Sequence, residues 1–243
     1  MEHPQDIRQD VAEVILSLEN HFKFLKRAGM HFFYPAPAPD RQEPVGSEAL
    51  PRDADSGALL EQVRQELGAC TRCRLHETRT QILFGEGNPA ARLVFVGEAP
   101  GEEEDLQGRL FVGEAGRLLT RIIEAIQLQR SDVYIVNVLK CRPPSSRSPA
   151  DDEIVSCIPF LRQQIEAIRP DIICTLGNTA TAALLQTSCD IHEMRGDFHQ
   201  YGSAKLMPTY PPEFLLKNPA RKKDAWVDMQ RVQKEYLKRS GSI

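Results

Sequence analysis

From about residue 58 onward, the apolar positions switch repeatedly between two periods. Helical spacing predicts helices over 58–67, 115–127, 151–168, 179–185 and 220–239, and short unbroken apolar runs predict strands at 93–96, 133–138, 172–176 and 205–209. Pro170 stops the third helix. Strands separated by helices require right-handed crossovers, hence a parallel sheet covered on both faces. The fold class is therefore α/β, in three layers.

Ahead of this pattern the chain behaves differently. Val11, Val14, Ile15, Leu18, Phe22 and Leu25 follow helical spacing and predict an amphipathic helix within residues 1–33. Residues 34–57 carry Pro35, Pro37, Pro39, Pro44 and Pro51 among small and charged residues, the composition of an extended linker with little to bury. The organisation read from this is a helical extension (1–33), a Pro-rich linker (34–57) and a main domain (58–243). The apolar face of the N-terminal helix is the surface offered to any protein partner.

Charge refines the picture. The 243 residues carry a net charge of -4, which argues against a generally cationic nucleic-acid binder. Residues 1–57 hold ten acids and six bases, so the rest is neutral overall and any basic face must be local; one such stretch is Lys205–Arg239, with nine bases against four acids. No apolar run reaches the length of a membrane span, and the N-terminus lacks the basic start and apolar core of a signal peptide. The expected setting is a monomer in the reducing cytoplasm, away from membranes. There, six cysteines serve better as metal ligands or buried thiols than as disulfides.

Candidate chemistry concentrates at Leu93–Gly101, LVFVGEAPG, where an apolar strand halts at Gly97 and turns through Glu98, Ala99, Pro100 and Gly101. In an open parallel sheet the carboxyl end of a strand is where ligands bind, and glycines there let backbone N–H groups approach a ligand closely. A tight strand-to-loop turn without chemistry would read the same way. Cys70 and Cys73 form a CxxC, followed by Cys141 in KCRPP and by Cys157. Four thiolates from separate segments suit zinc or a cubane iron–sulfur cluster, and spacing does not separate the two. Cys174, inside a strand, and Cys189, in a polar loop, read as ordinary thiols.

Taken together, CTRC, FGEGNPAARLVFVGEAPGEEED, QGRLFVGEAGRLL, VYIVNVLKCRPP, the later Cys157, TLGNTA and MPTYPPEFLLKNP resemble the iron–sulfur uracil-DNA glycosylases of family 4, in the right order from about Leu67 to Val232. The resemblance implies a three-layer α/β/α sandwich with a central four-stranded parallel sheet. It also implies a [4Fe–4S] cluster on Cys70, Cys73, Cys141 and Cys157, and excision of uracil from DNA. A base in a duplex must be flipped out to be cut. By the same resemblance Phe111 stacks on the flipped base and Asn137 reads it, a carboxamide matching uracil O4 and N3–H. Glu98 serves the cationic sugar and its water, and Gly97 and Ala99 offer backbone to the uracil edge. Glu104 and Asp105 brace the loop, and Leu215 wedges into the gap left by the base. Phosphate contacts are expected from Lys140, Arg142 and Arg147 and from Lys217, Arg221, Lys222 and Lys223.

One segment departs from the family pattern. Where PTYHP is expected the chain reads Pro208-Thr209-Tyr210-Pro211-Pro212, and the missing histidine is the one expected to donate to uracil O2. Proline has neither a side-chain donor nor an N–H. His192 and His199 are the nearest histidines in sequence. A catalytically weak or silent DNA-binding relative is the second reading, and an iron–sulfur electron carrier the third.

Overall fold

The computed structural model describes residues 52–188 and 190–239. The helix expected before residue 33, the linker as far as residue 51, and Cys189 fall outside them. The elements run α1 (Arg52–Leu67), β1 (Glu86–Gly87), β2 (Leu93–Gly97), α2 (Glu102–Gln107), α3 (Gly113–Ala125), β3 (Tyr134–Asn137), α4 (Asp151–Ile168), β4 (Ile172–Leu176), α5 (Asn178–Leu185), α6 (Ile191–Met194), β5 (His199–Tyr201), β6 (Ala204–Thr209), α7 (Pro212–Lys217) and α8 (Lys222–Arg239).

The sheet is mixed and has six strands, in the order β1-β3-β2-β4-β6-β5. This corrects the expected four-stranded parallel sheet: β3, β2, β4 and β6 are parallel, and β1 and β5 add antiparallel edges. At two and three residues, these edge strands are too short to show a period-2 pattern. They are held by ladder hydrogen bonds to the neighbouring strand, and they cover edges that would otherwise be open to another chain. The first helix also starts six residues earlier than expected, inside the predicted linker.

Strand side chains divide strictly between the faces. Val94, Val96, Val136, Ile173 and Leu206 pack with Leu60, Val63, Leu161, Ile165 and Ala183, so α1, α4 and α5 cover one face. Leu93, Phe95, Ile135, Cys174 and Met207 pack with Leu119, Ile123, Met229 and Val232, so α3 and α8 cover the other. All five residues of β2 and of β4 are buried, which explains their continuous apolar runs. Among the described residues no helix is long and apolar enough to cross a membrane.

The order β3-β2-β4-β6 places a topological switch between β2 and β4, because the chain leaves β2 toward β3 and then returns to the other side. A crevice at the carboxyl ends of the strands is the expected result at such a point.

Candidate active site

The crevice is there. A cleft of about 760 Å³ is lined by Gly97 to Glu104, Phe111 to Ala115, Leu176 to Asn178, and Pro211 with Glu213 and Lys217. Its floor therefore comes from the carboxyl ends of β2, β4 and β6. Asn137 ends β3 in parallel register with Gly97. Beyond the strands, Val138 N–H donates to Gly97 O (2.9 Å) and Leu139 N–H to Glu98 O (3.0 Å), which holds the two loops side by side.

Asn137 is 1% exposed, and neither its carboxamide oxygen nor its nitrogen has a hydrogen-bond partner. Leaving a buried amide unpaired costs about 1–3 kcal/mol, so such a group calls for an explanation. A Cβ added to Gly97 would lie 2.3 Å from Asn137 Oδ1 and 2.7 Å from Phe111 Cζ. Only glycine at position 97 lets backbone, carboxamide and ring meet this closely.

Phe111 has φ 48°, the left-handed region that bulky residues avoid, at a cost of about 1–3 kcal/mol. Two contacts hold it there. Its N–H donates to Glu104 Oε1, and its carbonyl lies where any Cβ on Gly116 would have to be, 1.7 Å away. Glu104 Oε2 also accepts from Gly101 N–H (2.6 Å), so one carboxylate fastens the GEAPG turn to the Phe111 loop. Desolvation is the main influence on that carboxyl and raises its pKa, against the two N–H donors. Asp105, buried, accepts from Thr80 N–H (2.9 Å) and pairs with Arg142 (3.5 Å). The bracing expected of Glu104 and Asp105 is thus present as geometry.

Glu98 accepts a short hydrogen bond from Thr179 Oγ1, at the start of α5. That bond bridges β2 and β4 across the topological switch. Thr179 lies within TLGNTA, but nothing in that motif alone pairs it with Glu98. Glu213, two residues after Pro211, shares the cleft; desolvation and then the charge of Glu98 raise its pKa. Pro211 lines the cleft and packs near Gly177, as its place after β6 requires.

Neither nearby histidine stands among the residues lining this cleft. His192 Nδ1 is 2.7 Å from Tyr210 Oη and meets Phe214 edge-on, while His199 Nε2 is 3.0 Å from Met194 O.

Several surface contacts expected from sequence turn inward. Lys140 is fully buried; its Nζ donates to Asn137 O (2.7 Å), and burial pushes its pKa down to about 8. It is not available to a phosphate. Leu215 is fully buried in α7 among Leu118, Ile191, Tyr210 and Ala225, a core leucine rather than an exposed wedge. Arg142 pairs with Asp105 and Glu102. Arg147 forms a two-pronged contact with Glu153, whose side chain is fully buried. Both arginines still line the cleft rim, and exposed Lys217 does so without such a clamp.

Four cysteines belong to one face of the sheet, Cys141 within the core there and Cys70, Cys73 and Cys157 packed against it. Cys70 and Cys73 follow α1, Cys141 follows β3, and Cys157 lies on α4. Cys157 feels the charges of Cys73 and Cys70, and Cys141 those of Cys157 and Cys73. Burial pushes the Cys141 thiol up to about 11 and raises Cys157 too. Hydrogen bonds suited to thiolates are in place: Arg79 reaches Cys141 Sγ (3.2 Å) and Arg72 reaches Cys70 Sγ (3.5 Å). Among the described residues no three Cys, His, Asp or Glu side chains meet closely enough to hold one metal ion.

Residues 84–230 match the family model of the uracil DNA glycosylase superfamily. The chain is 43% identical over 187 residues to the type-4 uracil-DNA glycosylase of Thermotoga maritima, covering 75% of this chain and 97% of that protein. It is 45% identical over 187 residues to the type-4 enzyme of Saccharolobus solfataricus, covering 73% and 86% of the two chains. The match to the Archaeoglobus fulgidus type-4 enzyme is 39% over 181 residues, or 71% and 91%. With a superfamily model spanning most of the described residues and relatives covered nearly end to end, the chain belongs to the type-4 uracil-DNA glycosylases.

Proposed function

We propose that this protein excises uracil from DNA, hydrolysing the N-glycosidic bond to leave an abasic site. The observation carrying this reading is the orphaned carboxamide of Asn137 beneath Gly97 and Phe111, at the carboxyl edge of the sheet. A carboxamide is one donor and one acceptor, the complement of uracil N3–H and O4 and the wrong match for cytosine. Because Asn137 is covered in the free protein, a base reaching it must displace the Phe111 ring, which then stacks on the base. Gly97 and Ala99 present backbone to the same edge.

In the reaction, the C1′–N1 bond breaks with its electron pair passing to uracil, and the sugar becomes cationic. Glu98, oriented by Thr179, stabilises that cation and holds the water that adds to C1′, taking its proton. The test is uracil release from single- and double-stranded oligonucleotides. Abasic product is expected, and its absence at stoichiometric enzyme would move the assignment to a DNA-binding relative that does not cut.

That second reading has one observation in its favour: Pro211 lines the cleft where a donor is expected and offers none. Its φ of -71° and ψ of 150° suit any L-residue, so Pro211→His is tolerated by the backbone. A restored donor to the uracil oxygen should raise the single-turnover rate by about 10²-fold. An unchanged rate would mean that another group already supplies the hydrogen bond.

The reading of the site as a [4Fe–4S] cluster is supported by its all-thiol donor set, by the guanidinium donors Arg72 and Arg79 on Cys70 and Cys141, and by the kinship with the type-4 enzymes. Cys70, Cys73, Cys141 and Cys157 would hold it; bound there, it crosslinks the start of the domain to the loop after Asn137 and to α4. Purified protein should be brown and contain about four irons per chain. A colourless preparation with one zinc would reverse this assignment.

A further inference from the structure

With Lys140 buried and both Arg142 and Arg147 clamped by acids, much of the expected phosphate-binding surface is spoken for. A second cleft, about 530 Å³, opens on the other side of the Phe111–Gly113 loop. Phe111, Val112 and Gly113 line both clefts, so this loop is the wall between them. Four arginines line the second one: Arg109, Arg117, Arg121 and Arg130.

These four are not alike. Arg130 is a fixed wall, donating to Glu86 (2.6 Å) and to Leu110 O; Arg109 stands 4.0 Å from the same Glu86. Arg117 and Arg121, four residues apart on α3, are exposed and form no ion pair or hydrogen bond among the described residues. Like charges at this spacing destabilise a helix unless an anion lies between them. Glu86 cannot neutralise four guanidinium groups, and Glu114 faces the first cleft. The thirteen-residue helix α3 also begins at Gly113, directing the positive end of its dipole toward the shared wall.

We propose that this arginine cleft binds backbone phosphates of the DNA strand as it leaves the flipped nucleotide, with Arg117 and Arg121 as the principal contacts. This rests on reading the chain as an enzyme of DNA. Because the two clefts share the Phe111–Gly113 wall, the backbone flanking a base in the first cleft lies within reach of the second. Guanidinium forks match phosphate oxygens in pairs, whereas an apolar or neutral ligand would leave Arg117 and Arg121 uncompensated.

The test is the salt dependence of affinity, measured by fluorescence anisotropy on an undamaged single-stranded oligonucleotide, for which turnover is irrelevant. For Arg117→Gln/Arg121→Gln, the slope of log K against log salt should become shallower by about 1.4, two phosphates at about 0.7 each, with affinity at low salt down about tenfold. Arg117→Lys/Arg121→Lys should keep the slope, which separates loss of charge from misfolding. A slope unchanged in the Gln pair overturns the proposal. Protein that releases no uracil yet shows the arginine-dependent slope would overturn the catalytic reading and leave this one standing.

Discussion

Asn137→Ala should lower the single-turnover rate of uracil release by about 10²- to 10³-fold, with the fold and cysteine site intact. The estimate is the typical loss when one preorganised hydrogen-bonding group is removed from a water-excluded site. Folding should survive because the carboxamide has no hydrogen bond to lose, so deleting it leaves no buried group newly unpaired. The variant should if anything be slightly more stable, which is the signature of a group kept for a ligand. Gly97→Ala reaches the same end sterically: its Cβ would meet Asn137 Oδ1 at 2.3 Å and must push carboxamide or ring aside. A rate within threefold of wild type for Asn137→Ala, measured against thermal stability of the same preparation, would remove Asn137 as the reader of the base.

The second large effect is on stability and falls on Glu153. Its buried carboxylate accepts from Arg147 (2.8 Å), from Arg74 (3.0 Å) and from Ala150 N–H (2.8 Å). Arg74 adjoins Cys73, Arg147 ends the loop after Cys141, and Glu153 lies one turn before Cys157 on α4. One side chain therefore fastens three cysteine-bearing segments. The Arg147 hydrogen bond, the largest influence, holds its pKa down at about 2 against an ordinary 4.5. A depressed carboxylate contributes stability that is complete above about pH 4.5 and is lost as pH falls toward 2. Since the arginines keep part of their surface in water, screening trims the contribution to about 2 kcal/mol. Denaturant midpoints for the wild type should therefore fall between pH 5 and pH 2.5, more steeply than those of Glu153→Gln. At pH 7 that variant should be less stable by about 2–3 kcal/mol. Parallel pH curves for the two proteins would show that the clamp contributes nothing.

Elements with strong local signals follow the sequence pattern, and those shaped by their neighbours do not. Helix α4 is found at Asp151–Ile168 and β4 at Ile172–Leu176, as the pattern predicts, because acids open the helix, Pro170 forbids its continuation and the strand is uniformly apolar. The edges β1 and β5 were invisible, since two or three residues carry no periodicity and owe their shape to a neighbouring strand. The start of α1 was hidden because Arg52–Gly57 has no large apolar residue, yet it extends a helix secured by Leu60, Val63 and Leu67. The GEAPG turn follows the end of β2 and Asn137 ends β3, as the apolar runs predict. Lys140 and Leu215 were misjudged, because whether a lysine or leucine faces water depends on what packs over it.

The order of residues alone determined the alternation of strand and helix, the glycine turn after β2, the four cysteines and the absence of a histidine at Pro211. These follow from periodicity, backbone freedom and side-chain chemistry, all local properties. Tertiary structure alone decided the partners of polar and charged groups: Arg147 with Glu153, Thr179 with Glu98, and Arg117 and Arg121 left to solvent. Charge pairing depends on distance in space, which falls to contact only after a parallel sheet has brought the ends of distant strands to one edge.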